Sequence, residues 1–154
     1  MPKTSAALLL FRRRDALEVL IAHMGGPFWA RKDNGAWSIP KGEYTDEEPL
    51  AAARREFAEE MGSPPPDGEV IPLGAVKQSG GKVITTFAVE GDFDLAGFRS
   101  NTFVLEWPRG SGRTQEFPEV DRAEWLPVDT AREKLVKGQV PVLDALERHL
   151  GSDV

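Results

Sequence analysis

The alternation of apolar and polar runs along the chain predicts a sheet built largely from hairpins. SAALLLF and LEVLIAHM, at 5–11 and 17–24, are apolar runs of strand length with a short polar break between them. Such a pair is typical of two antiparallel strands. EVIPLGAVKQ and KVITTFAVEGD flank the glycine-rich SGG at 79–81, which predicts a second hairpin.

The C-terminal part of the chain alternates in the same way. NTFVLEW (101–107) and VDRAEWLP (120–127) are further strand candidates, and PRGSGRTQEFPE (108–119) between them predicts a polar loop. AREKL and VPVLDALERHL have helical periodicity. The apolar face of this last segment fits either core packing or an oligomer contact.

A helix is predicted between the two hairpins, over about 49–61. Pro49 suits a first helical position after Glu48, and Gly62 is a natural C-terminal stop. One apolar stripe at helical spacing comprises Leu50, Ala53, Phe57 and Met61. The resulting order of elements fits an α/β fold, with a mixed sheet covered by helices, as a single domain over 1–154.

Composition narrows the chemistry. The chain has no cysteine, which excludes disulfides, thiolate nucleophiles and cysteine-based zinc or iron–sulfur sites. Its net charge of −6 disfavours direct binding to a nucleic-acid backbone and suggests that cations mediate contact with any anionic ligand. The N-terminal apolar run has the wrong order and length for a signal peptide, so we expect a cytoplasmic protein without a membrane span.

Three carboxylates of the predicted helix fan across one sector beside its apolar stripe. Glu56, Glu59 and Glu60 are spaced so that their side chains can converge, and Glu56 with Glu60 is a repelling i, i+4 pair. A divalent cation bound by hard oxygen ligands, Mg²⁺, Mn²⁺ or Ca²⁺, would relieve that repulsion. The alternative is a solvated helix face on which Arg54 and Arg55 form ordinary ion pairs.

The segment KGEYTDEEPLAAARREFAEEMG (41–62) resembles the Nudix box, G-x5-E-x7-R-E-U-x-E-E-x-G-U with U apolar. Seven specified positions agree, namely Glu47, Arg55, Glu56, Phe57, Glu59, Glu60 and Gly62. Two positions depart from the pattern. Gly42 precedes Glu47 by five residues rather than six, and Ser63 stands at the final apolar position.

The resemblance implies a Nudix-type α/β/α sandwich that hydrolyses a nucleoside diphosphate linked to another moiety, with Mg²⁺ or Mn²⁺ as cofactor. "PKG" before the box is similar to the diadenosine polyphosphate hydrolases. Nucleoside triphosphates, ADP-ribose and capped RNA 5′ ends stay open as substrates, as does a monomeric or homodimeric state. The alternative function is a Nudix-like domain that binds a nucleotide or ADP-ribose as a sensor without cleaving it.

The same resemblance assigns roles to residues of the box. Glu59, Glu60 and Arg55 belong to the catalytic set, and Arg55 would pair with Glu47 to hold the carboxylates in place. The metal ligands would be Glu56, Glu59, Glu60 and the backbone at Gly42. Nudix enzymes commonly draw a further Glu from a loop beyond the sheet, as metal ligand or general base.

For that further Glu, Glu119 before VDRAEW is the first choice and Glu116 the second. Candidate substrate contacts are Arg31, Lys41, Trp29 and Lys82, which offer cations for phosphate or a ring for a base. We expect Trp37 and His23 to be buried in the core. Neither His23 nor His149 has an evident partner in the sequence for a Ser-His-Asp mechanism.

Overall fold

The computed structural model describes residues 4–77 and 79–151, and within them it has nine strands and three helices. The strands are β1 Thr4–Arg13, β2 Leu17–Met24, β3 Trp37–Ser38, β4 Lys41–Glu43, β5 Val70–Lys77, β6 Val83–Glu90, β7 Thr102–Glu106, β8 Thr114–Pro118 and β9 Val120–Pro127. The helices are α1 Pro49–Met61, α2 Val128–Lys134 and α3 Val140–Gly151. None of these described helices is long and apolar enough to cross a membrane.

Strand β1 is the centre of the fold because both of its faces are buried. Residues 6–11 are all apolar and at most 1% exposed. Alternate side chains from Ala6 to Leu10 join the core under α1, and those from Ala7 to Phe11 join the core under α2 and α3. A strand covered on both faces must be continuously apolar. The predicted α/β/α sandwich with a mixed sheet is therefore confirmed.

The sheet topology places the start of the box beside α1. β1 is parallel to β6 and antiparallel to β2 and β4, and the principal strand order is β3-β2-β1-β6-β5. The short β4 pairs with the first residues of β1, with Gly42 opposite Ala6. β9 adds to β2 on the other side. Both predicted hairpins, β1–β2 and β5–β6, are confirmed.

The end of α1 depends on a glycine. Gly62 has a φ of 92°, and its N–H donates to the carbonyl of Ala58 at 2.9 Å. A Cβ on Gly62 would lie 2.7 Å from the carbonyl oxygen of Arg99. The position therefore requires both a left-handed backbone and the absence of a side chain. That close approach lets Asn101 N–H donate to the Glu59 carbonyl at 2.8 Å, tying the segment before β7 to α1.

The prediction of a continuous polar loop over 108–119 is wrong. Thr114–Pro118 forms β8, which pairs with β7 in a separate two-stranded sheet. The side chains of β8 are exposed or half-buried, so no alternation of buried apolar residues marks it as a strand.

Trp37 lies in the core at 1% exposure, and His23 is a packed residue at 2%, as expected from their sequence positions.

Candidate active site

A cleft of about 520 Å³ lies between α1, β4 and the segments that precede β7 and β9. Its charged lining consists of five carboxylates and two ammonium groups: Glu43, Glu56, Glu59, Glu60, Glu119, Lys41 and Lys82. Met24, Trp29 and Phe103 supply apolar surface. The cleft therefore combines a strongly acidic centre with cations and rings at its sides.

The guanidinium of Arg55 organises the exposed side of this acidic centre. Its Nε lies 3.0 Å from both carboxylate oxygens of Glu47, and its Nη2 lies 2.6 Å from Glu47 Oε1. Nη1 donates to Glu56 at 2.8 Å and to Glu59 at 3.2 Å. These hydrogen bonds, that to Glu47 above all, raise the pKa of Arg55 and lower that of Glu47. One planar cation thus joins three carboxylates, a geometry that lysine cannot reproduce.

The inner, partly buried side of the acidic centre is electrostatically unfavourable. Burial raises the pKa of Glu60 to about 8; the charge of Lys41 and a hydrogen bond from its backbone lower it, while Glu56 and Glu119 raise it. Burial is also the main reason that the pKa of Glu56 is raised, with Glu59 and Glu119 adding to it. The negative charges of Glu56 and Glu119 thus both disfavour ionisation of Glu60. Such a cluster favours binding of a cation.

Gly42 brings backbone into direct contact with the cluster. A Cβ at this position would lie 2.0 Å from Cδ of Glu56 and 2.1 Å from its Oε2. Only glycine allows β4 to pass so close to the carboxylate while its neighbours pair with β1. The Glu56 carboxylate consequently lies against a main chain that is fixed by the sheet.

The position of Glu119 is set by main-chain hydrogen bonds on both sides. Its N–H donates to the carbonyl of Asn101 at 2.9 Å, and its carbonyl accepts from Gly25 N–H at 2.9 Å. Asn101 in turn donates to the Glu59 carbonyl. A chain of backbone contacts thus leads from the C-terminal turn of α1 to Glu119, with Gly25 at its end.

The fold brings together most of the side chains that the sequence singled out. Those lining the cleft are Gly42, Glu56, Glu59, Glu60, Glu119, Lys41, Lys82 and Trp29. Arg55 supports them from behind through its ion pairs. Arg31 lies outside the lining, and Glu116 is exposed on β8.

Phe103 and Asn101 line the cleft and were not anticipated. Phe103 lies on β7, where Val104 is 65% exposed, and its ring fits against Gly26, at which a Cβ would lie 2.9 Å from Phe103 Cζ. Period-two alternation in NTFVLEW sets Phe103 and Leu105 on one face, but the sequence alone does not show that this face meets a cleft. Asn101 contributes main-chain hydrogen bonds to Glu59 and Glu119, which any residue type other than proline could make, so its identity in the sequence does not reveal this role.

The donor set fits a hard divalent cation. Carboxylate oxygens and a nearby backbone are the ligands that Mg²⁺ and Mn²⁺ prefer, and the described lining contains no cysteine or histidine. Among residues 4–77 and 79–151, no three acidic or histidine side chains already surround one point as ligands. The reason is visible in the hydrogen bonds, since Glu56 and Glu59 both face Arg55. In this arrangement the Glu59 side chain, which is 42% exposed, and that of Glu56 point at the shared Nη1 of Arg55 rather than at one common point in the cleft.

Taken together, these features define an α/β/α sandwich with a carboxylate-rich cleft between its acidic helix and a mixed sheet. The model of the NUDIX domain matches residues 1–146, and the chain therefore belongs to the NUDIX family. The prediction of membership in the Nudix hydrolase family is confirmed. A search of curated protein sequences finds no significant match.

Solved structures show the same fold at low sequence identity. The NUDIX domain of Shewanella oneidensis NrtR, in a complex with ADP ribose, is 18% identical with a TM-score of 0.68, and the match covers 97% of this chain and 89% of that one. An Ap4A hydrolase from C. elegans is 16% identical with a TM-score of 0.63, covering 96% and 98%. The E. coli ORF135 protein is 21% identical with a TM-score of 0.59, covering 98% and 94%.

Proposed function

We propose that this protein is a Mg²⁺-dependent pyrophosphohydrolase that cleaves a nucleoside diphosphate linked to another moiety. The observation that carries the proposal is that Glu56, Glu60 and Glu119 line one cleft, together with Gly42 and two lysines. Family membership and neighbours that bind ADP ribose or are named for Ap4A support it.

In this function Glu56, Glu59, Glu60 and the backbone at Gly42 would hold Mg²⁺, with Mn²⁺ as a substitute. A bound divalent cation neutralises a diphosphate and lowers the pKa of water. Arg55 keeps Glu56 and Glu59 oriented through its shared Nη1. An acidic protein can thereby bind an acidic substrate.

The remaining groups of the cleft position substrate and move a proton. Lys41 and Lys82 bind phosphate oxygens, and Trp29 with Phe103 offers a surface on which a nucleobase stacks. Glu119 lines the same cleft, and its carboxylate would accept the proton of the water that attacks phosphorus as the bond from phosphorus to the leaving phosphate breaks. Hydrogen bonds to its main chain fix the point from which the Glu119 side chain extends into the cleft.

The test is product release from a panel containing a dinucleoside tetraphosphate, nucleoside triphosphates and ADP-ribose. Each is measured with Mg²⁺ and with a chelator in wild type, Glu60→Gln and the exposed control Glu124→Gln. We expect metal-dependent cleavage of at least one compound, a loss of more than about a hundredfold in Glu60→Gln, and wild-type rates in the control. Reaction in ¹⁸O-labelled water should place one labelled oxygen on a phosphate product.

Saturable binding of a nucleotide without cleavage in any metal would contradict the proposal. That outcome would instead support a domain that binds its ligand as a sensor. Cleavage that survives the chelator or the Glu60→Gln change would contradict the assignment of the acidic cluster, whatever the substrate.

A further inference from the structure

A second compartment of about 380 Å³ continues from the active-site cleft. It shares four lining residues with that cleft, Met24, Trp29, Ser38 and Lys41. Its own lining residues are Val136, Lys137, Gly138 and Gln139, which come from the turn between α2 and α3. The two cavities therefore adjoin along Lys41 and Trp29, and together they are called the groove below.

The two parts of this groove differ sharply in charge. The active-site cleft is dominated by carboxylates. The charged residues among the described lining of the second compartment are Lys41 and Lys137, without an acidic residue. A cation is favoured in the first part and an anion in the second, because like charges repel and opposite charges attract over these distances.

The turn that carries Lys137 is held rigidly against the cleft. Val136 N–H donates to the Trp37 carbonyl at 2.9 Å. Gln139 is 2% exposed; its side-chain Oε1 accepts from Ile39 N–H at 2.8 Å, and its Nε2 donates to Ser38 Oγ at 3.0 Å. Both bonds reach the segment that leads into the box. Lys137 is therefore kept at the rim of the groove by a fixed backbone.

We propose that this compartment is a second phosphate subsite, in which Lys137 and Lys41 bind the part of a polyphosphate chain beyond the scissile diphosphate. The inference rests on the proposed function and narrows its substrate to compounds with more than two bridged phosphates, such as dinucleoside tetraphosphates. ADP-ribose carries no phosphate beyond its diphosphate and gains nothing from Lys137.

The experiment separates binding at the subsite from catalysis. Binding to the Mg²⁺-loaded protein is measured by calorimetry with two analogues that resist hydrolysis. One is a diadenosine tetraphosphate with methylene groups at every bridging position, and the other is α,β-methylene ADP-ribose. The variants are Lys137→Ala, Lys137→Glu, Lys137→Arg and the matched control Lys77→Ala, an exposed lysine that lines neither cavity.

We expect Lys137→Ala to weaken binding of the tetraphosphate analogue about tenfold and that of the ADP-ribose analogue less than about twofold. Lys137→Glu should weaken the former further, and Lys137→Arg and Lys77→Ala should both stay within about threefold of wild type. Equal effects on both ligands, or none on either, would overturn the subsite. So would failure of the wild-type protein to bind the tetraphosphate analogue.

Cleavage of the unmodified compounds distinguishes the two proposals. If wild type cleaves ADP-ribose but neither binds nor cleaves the tetraphosphate, the subsite is overturned while the pyrophosphohydrolase function stands. If the tetraphosphate analogue binds with the expected dependence on Lys137 and no compound is cleaved, the subsite stands and the catalytic proposal fails.

Discussion

Replacing Glu60 by glutamine should stabilise the metal-free protein, and the gain should grow with pH. Burial raises the pKa of Glu60 from 4.5 to about 8. Below about pH 4.5 the carboxyl is protonated in folded and unfolded chains alike, so its titration has no effect on stability. Between 4.5 and 8 the unfolded chain releases the proton and the folded chain keeps it, so the free energy of unfolding falls as pH rises.

The size of the effect can be worked out from the shift in pKa. A rise from 4.5 to about 8 corresponds to about 5 kcal/mol above pH 8, at roughly 1.4 kcal/mol per pKa unit. Glu60 is only partly shielded from water, since it lines an open cleft, and water entering beside the carboxylate lowers this cost. We therefore expect the difference in free energy of unfolding between Glu60→Gln and wild type to grow by about 2 to 4 kcal/mol, in favour of the variant, from pH 5 to pH 8.5.

The assay is urea unfolding monitored by tryptophan fluorescence at several pH values, with a chelator present. Glu124→Gln, which removes an exposed carboxylate on β9, reports the effect of net charge alone. Its stability should run parallel to that of wild type across the range. A difference between Glu60→Gln and wild type that stays constant with pH would refute the claim that Glu60 is a costly buried acid.

Two further substitutions test how the cluster is held. Arg55→Ala removes the hydrogen bonds from Arg55 to Glu47, Glu56 and Glu59, so affinity for Mg²⁺ and kcat should each fall about 10- to 100-fold. Arg55→Lys should not restore them. Calorimetry with Mg²⁺ measures the affinity, and product release measures kcat. Gly42→Ala places a Cβ 2.0 Å from Glu56 Cδ, so the flexible carboxylate must move. Mg²⁺ affinity should fall about tenfold with little change in Tm, whereas a large loss of Tm would show that the backbone, not Glu56, gives way.

Much of the fold could be predicted because local patterns and burial agree. The doubly buried β1 is a continuous apolar run, and α1 combines a stripe including Phe57 and Met61 with Pro49 at its start and Gly62 after its end. β8 escaped prediction because its pairing with β7 is mostly solvent-exposed and leaves no apolar signature. β3 and β4 are two and three residues long, too short for any periodicity to appear.

The candidate site divides in the same way. The carboxylates of α1 could be predicted because helical spacing alone places them on one face. Glu119 was the first choice among the loop carboxylates and lines the cleft, but the main-chain contacts with Asn101 and Gly25 that place it there are long-range and no local pattern encodes them. The contrast in charge between the acidic cleft and the second compartment could not be predicted either, because Lys137 is almost one hundred residues from Lys41 in the chain.

The shortened loop of the box is compatible with the site because its missing residue is absorbed after Gly42. β4 pairs with β1 in regular antiparallel register through Lys41, Gly42 and Glu43, so the sheet fixes this glycine independently of the length of the turn after it. The ion pair of Arg55 with Glu47 fixes the other end of the loop on α1. The one-residue difference from the pattern therefore falls in the turn at 44–46, between these two anchors. The contact between Gly42 and Glu56 therefore depends on the sheet register rather than on loop length.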